Sequence, residues 1–174
     1  MEDVKISGSL NKLHNEIMAI IMSDQDILKF LYYNKDDDVL SKPDLTKKQI
    51  ASMKNINFFK HKKIPTVETN EMRTVISFEY DEVTRSNRKG NYKYWSVPTV
   101  CIYIIGHVSN DETKNGSRVW AIEDRLVDLF HYEKNNISLG NSCVTKSEDI
   151  YGLPYPYFGR AVSIQFWDKN EGMF

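Results

Sequence analysis

Along the first part of the chain the apolar positions fall at Leu10, Leu13, Ile17, Ile20 and Ile21. Steps of three and four place them on one side of a helix. Ser23 and Asp24 interrupt that stripe and are good N-cap residues, with Asp26 where a capping-box acid would stand relative to Ser23. A second helical stretch then carries Ile27, Leu28 and Leu31 on one side. Polar residues fill 34–46, with Asp36-Asp37-Asp38 and Pro43, and predict a solvated loop. Thr46 is placed to cap a third short helix bearing Ile50 and Met53, and Lys60-His61-Lys62-Lys63 follows as a small basic cluster.

The second half changes period. Met72, Thr74, Ile76, Phe78 and Tyr80 alternate with Arg73, Val75, Ser77 and Glu79, which predicts a strand with one buried face. Residues 81–93 are polar and turn-rich and predict a long hairpin arm. Tyr94 to Val108 is the longest strand candidate, at about 3.3 Å per residue a span of roughly 50 Å. Its centre, Val100 to Ile105, is apolar at every position, the pattern of a strand covered on both faces. Pro98 within it points to an edge or a bulge. Past a polar turn, Ser117 caps a helix from Arg118 to about Tyr132 with the stripe Val119, Ile122, Leu126, Leu129 and Phe130, which Trp120 and Val127 broaden. A strand near Ser142 to Tyr151, an aromatic-proline turn and a last strand, Arg160 to Trp167, complete the order.

Helices first, then strands around one long helix, make an α+β domain with a mostly antiparallel sheet. The whole chain, 1–174, is expected to form one domain: a helical N-terminal segment to residue 66, and an α+β core over 67–168 with its arm at 81–93.

Composition narrows the function classes. Twenty-three basic residues stand against twenty-four acidic ones, a formal net charge of -1, whereas a protein living by phosphate contacts would carry a clear basic excess. Ten Tyr, eight Phe and three Trp suit protein interfaces, where large rings supply contact area at modest entropy cost. Cys101 and Cys143 have no paired spacing, and Cys101 in its apolar run reads as a buried small hydrophobe. The acidic opening Met1-Glu2-Asp3 is unlike a secretory signal, and the longest apolar run is too short to cross a bilayer as a helix; a cytoplasm-like compartment without a membrane is expected.

The search for chemistry finds no assembled template, so no enzyme activity, cofactor or metal is expected. Gly106 and Gly116 are isolated and no Gly-Lys-Ser/Thr follows either. His14, His61, His107 and His131 are never two or four residues from another His or Cys, so the spacing offers no ready-made zinc site, and His14 and His131 are read as surface or rim residues on helices. Asp36-Asp37-Asp38 lacks the alternating acids, the glycine and the final glutamate of a calcium loop. A cysteine nucleophile would need a distant histidine delivered by the fold. Glu123 and Asp124 are adjacent on a helix and read as solvated charges.

Two features stand out as contact candidates. The arm gathers Arg85, Arg88, Lys89 and Lys93 with Tyr94 and Trp95 at its base, and the turn Leu153-Pro154-Tyr155-Pro156-Tyr157-Phe158 offers exposed rings. The apolar strand adds Val100, Ile102 and Ile104.

The second half also carries a resemblance. A Val/Ile strand is followed by Gly116-Ser117-Arg118 leading into the helix Val119-Trp120-Ala121-Ile122-Glu123-Asp124-Arg125-Leu126, then a loop with Gly140, a strand, and a Tyr-Phe-Gly-Arg turn into the strand ending at Trp167. Over roughly 70–168 this order resembles the small neck proteins of tailed bacteriophages, the tail-terminator and tail-completion (head–tail joining) proteins. That resemblance implies a ring, commonly hexameric, that caps the tail tube and meets the head connector in the virion after assembly in the host cytoplasm. It implies heterologous contacts between copies, with the arm, the apolar strand and the turn as candidates, and a lumen through which DNA passes. The alternative from the residues alone is a nucleic-acid-binding accessory protein using the basic arm and its aromatic cluster.

Overall fold

In the computed structural model the backbone is described for residues 6–63, 72–85, 96–131 and 141–167, and side chains for 11–63, 72–80, 98–131 and 142–166. Helix α1 (Ile6–Ile21) buries Leu13, Ile17 and Ile21 completely, as its spacing predicts. The Asp24 carboxylate caps α2 (Gln25–Tyr32) by accepting from the Ile27 N–H. Ser23 and Asp26 do not form the predicted capping box; the Ser23 hydroxyl turns back to the Ile20 carbonyl and closes α1 instead. Thr46 caps α3 (Lys47–Ser52), where Gln49 completes a full capping box. A single helix of six residues would not hold itself together in water. What fixes α3 is Met53, 1% exposed, at its C-terminal end.

The sheet has five strands in the order β1-β2-β3-β7-β6: β1 (Phe58–Phe59), β2 (Val75–Arg85), β3 (Ser96–His107), β6 (Asn141–Asp149) and β7 (Tyr157–Trp167). All neighbours are antiparallel except the short parallel pair of β1 with β2. The α+β class is therefore the observed one. β3 lies at the centre, paired from Val75↔Ile105 to Arg85↔Ser96 on one side and from Thr99↔Gln165 to His107↔Tyr157 on the other. Pro98 sits where the second ladder has stopped and close to the β2 bulge between Tyr80 and Glu82, so its missing N–H interrupts nothing. Two short strands, β4 (Glu112–Thr113) and β5 (Gly116–Ser117), form a separate hairpin within the predicted polar turn.

Helix α4 (Arg118–Phe130) packs Val119, Ile122, Leu126 and Phe130, all fully buried, against Val100, Ile102, Ile104, Val162, Ile164 and Phe166. Each such side chain contributes roughly 1.5–3 kcal/mol by leaving water. The same core takes in Leu13, Ile17, Ile27, Leu28 and Leu31, so the N-terminal helices are part of one core with the sheet. A smaller cluster of Val75, Ile105 and Tyr157 occupies the other face with Phe59, Tyr103, Ile150 and Leu153. Val75 and Ser77 are thus buried as well as Ile76 and Phe78, and β2 is covered on both faces where one was expected.

A polar clasp joins the two halves at the end of the sheet where β3 finishes. Arg118 is 0% exposed; its guanidinium donates to the carbonyls of Phe30 at 2.6 Å, Asn110 at 2.9 Å and Asp36 at 3.3 Å. The Asn110 side chain accepts from the Lys35 N–H and donates to Asn34, while Lys114 pairs with Asp38 and donates its N–H to the Asp37 carbonyl. The acidic run is therefore a docked loop, not a freely solvated one. Loop backbone that packs against a helix start must find partners for its carbonyls, and an arginine supplies five donors from one side chain.

Candidate functional site

The turn after β6 carries exposed apolar side chains at the end of the sheet where β3 finishes. The Val108 N–H donates to the Pro156 carbonyl at 3.0 Å, which fastens the end of β3 to the aromatic-proline turn. Around this joint Tyr151 is 85% exposed, Tyr155 83%, Trp120 61% and Val108 51%. Trp120 was expected to broaden the buried stripe of α4. One residue past Val119 it has rotated about a quarter-turn out of the interface, and it faces water instead.

An ionic network runs through the same surface. Arg160 grips both carboxylate oxygens of Glu123, at 2.6 and 3.0 Å, and reaches Asp149 at 2.8 Å. Ser147 donates to Glu123 as well. Glu123, read from sequence as a solvated charge, is one of the more enclosed acids of α4: burial alone would raise its pKa, but the bonds from Arg160 and Ser147 outweigh it and the carboxyl lies below its ordinary range. Glu123 is three residues from Trp120 on α4, and Asp149 two from Tyr151. The rings thus flank the ionic network along the chain.

On the far edge of the sheet, beside β2, lies a cleft of about 380 Å³ lined by His14, Lys60, His61, Lys62, Phe78, Glu79, Tyr80 and Val100. The His14 ring stands 5.0 Å from Phe78 and 6.4 Å from Tyr80. Burial, reinforced by the charge of Lys60, holds the imidazole below its usual pKa, so it is neutral near pH 7. Its Nε2 is enclosed and has no hydrogen-bond partner among the described residues. Lys62 lies 3.6 Å from Glu79 and 4.3 Å above the Tyr103 ring, whose hydroxyl donates to Glu79 at 2.7 Å. Burial and then that bond push the Tyr103 phenol up. Lys60 and His61, both exposed, have no ion pair among the described residues. In sequence Lys60 to Lys63 is only a small basic cluster; its position beside β2 makes Lys60, His61 and Lys62 the rim of a cleft.

The other candidate contact residues fall in three places. Arg85 ends β2 opposite Ser96, which confirms the base of a hairpin in the backbone, while Arg88, Lys89, Lys93, Tyr94 and Trp95 lie outside the described residues. Val100, Ile102 and Ile104 are 2%, 0% and 0% exposed beneath α4 and Tyr157 is 6% exposed, so they are interior residues of this chain and offer no surface to a partner. Their apolar run is explained by the second cluster on the opposite face. Tyr155 does face water, and Phe158 is half-buried against the main core.

The fold also joins two residues that spacing kept apart. His131, just beyond α4, brings Nδ1 to 3.7 Å from the Cys143 sulfur on the edge strand β6. Cys101 is buried, as its apolar run predicts. Among the described residues no group of three or more metal-type side chains assembles, and no helix is long and apolar enough to cross a membrane.

No curated protein matches the chain. A family model does, over residues 24–166, from the cap of α2 almost to the end of β7. On that match the chain belongs to the YomW family, a family of phage origin.

Proposed function

We propose that this protein is a structural subunit of a phage neck, a tail-terminator that assembles as a ring on the tail tube and joins it to the head connector. The observation that carries the reading is the exposed set Trp120, Tyr151 and Tyr155 with Val108. Rings are costly to leave in water, and such residues are enriched where proteins dock. The phage origin of the family and the resemblance of 70–168 to neck proteins both support it. Work of this kind needs surfaces and no catalytic group. The virion is then where the protein resides, and the arm at 81–93 is a further contact between copies or toward DNA in the lumen.

Phage particles made without the protein test the reading. They should carry tail tubes of uncontrolled length that do not join filled heads, and the purified chain should form rings in negative-stain images. Joined, length-controlled tails in its absence would refute the proposal. Removing residues 83–91 should leave the fold intact and stop assembly. The accessory nucleic-acid reading rests on the basic arm and its aromatic cluster, and salt-dependent binding of an oligonucleotide would favour it.

A further inference from the structure

The two surfaces described above are opposite in character and lie at opposite edges of the sheet. At the β1–β2 edge the described lining of the cleft has Lys60 and Lys62 against Glu79, over a floor of Phe78, Tyr80 and His14. On the β6–β7 side Glu123, Asp124 and Asp149 stand against Arg160, with the exposed ring of Trp120 one helical turn from Glu123 and that of Tyr151 two residues beyond Asp149. Among the described residues the two edges therefore differ in charge.

We infer that the acidic-aromatic surface of one copy docks into the basic cleft of the next, with Tyr151 entering between Lys60 and the Phe78–His14 floor. This contact rests on the ring reading above and specifies how the ring closes. A surface that fits a different surface of an identical molecule makes a heterologous contact, which propagates around a ring instead of stopping at a dimer. The cleft is near the small end of the roughly 300–1,000 Å³ found for sites that hold a compact ligand, so it suits one or two side chains and not a large molecule. Lys60 has no ion pair among the described residues and is available to a carboxylate such as that of Asp149, which is exposed on the opposing surface.

Size decides how much this contact can do. Two aromatic side chains bury about 150–250 Å² each. That is roughly half of the ~800 Å² per partner in a stable interface. Loss of both rings should therefore weaken association at least tenfold, while the folded monomer, which exposes them, keeps its stability.

Complementation between variants tests the direction of the contact. One variant carries Lys60→Glu and His61→Glu; the other carries Trp120→Ser and Tyr151→Ser. By sedimentation velocity each should remain monomeric where the parent chain assembles, with unchanged thermal unfolding. Mixed one to one they should form dimers and stop there, since only one intact cleft meets one intact acidic-aromatic surface. If either variant assembles like the parent, or the mixture stays monomeric, this contact is wrong although rings may still form through other surfaces. If the parent chain itself never associates, the ring reading falls and the contact falls with it. If the cleft variant instead assembles normally but loses salt-dependent binding of an oligothymidylate, the occupant is nucleic acid and the proposal is overturned.

Discussion

Replacing Arg118 with methionine removes the guanidinium that ties α2, the acidic loop and the start of α4 together, while keeping most of the side-chain volume. The two short bonds, to Phe30 at 2.6 Å and Asn110 at 2.9 Å, carry most of the energy; the third, at 3.3 Å to Asp36, is weak. A hydrogen bond from a charged donor contributes about 1.5–3 kcal/mol net, so the two amount to about 3–6 kcal/mol. Methionine also escapes the desolvation of a buried cation, which offsets part of that. The lowered pKa of Arg118, caused first by burial, has the sign expected of this desolvation. The variant nevertheless leaves buried carbonyls without donors, and we expect a loss of about 3 kcal/mol. That is a large share of a typical stability of about 5–15 kcal/mol. Urea unfolding should show the midpoint lowered by about 1–2 M with an unchanged slope. Arg118→Lys keeps the charge but not the planar fork, and should recover less than half of the loss. A methionine variant whose midpoint stays within about 0.3 M of the parent would refute the argument, because the carbonyls would then have found water.

Other expectations follow from particular contacts. A methyl at Gly106 would come 2.7 Å from a Val119 side-chain methyl, whereas at Gly159 it would strike the Ile104 carbonyl oxygen of the paired strand. Gly106→Ala should thus cost about 1–3 kcal/mol and Gly159→Ala more, since a backbone atom cannot rotate away; thermal denaturation giving the reverse order would contradict this. Glu123→Gln should cost about 2 kcal/mol at pH 7, between exposed and fully buried pairs. Because the folded-state pKa of Glu123 is depressed, that stabilisation is present above the unfolded value of about 4.3 and is lost as pH falls through the folded one. The gap between the parent and the variant should therefore close in acid, and a gap independent of pH would rule out the ion pair as its source. Asp24→Ala should cost about 1–2 kcal/mol through the lost cap of α2. Asp24→Asn keeps a capping oxygen while losing the 2.6 Å pair with Arg125, so denaturant curves of the two variants separate cap from charge.

The main elements were legible because they depend on local repeats. The α4 stripe, the Thr46 cap and the alternation along β7 each satisfy a period or a capping rule that operates within a few residues. Two-residue β1 escaped notice because no period can show in so short a strand; it exists through its bonds to β2. Trp120 was misassigned because stripe width is set by how closely a helix meets the sheet, and the sequence of the helix does not contain that distance. Val100, Ile102 and Ile104 drew attention as a surplus of apolar surface, when the N-terminal helices and the Tyr157 cluster cover both sides of their strand.

The sequence by itself determined the kinds of element, their order, the α+β class and the lack of any local catalytic motif, since these rest on residue type and spacing along the chain. The tertiary structure alone decided which charges meet. Arg118 reaching Phe30, Arg160 holding Glu123, and Lys60 standing beside His14 each join residues far apart in the chain. Electrostatic and hydrogen-bond energies fall off over a few ångströms of space, and separation along the sequence says nothing about that distance.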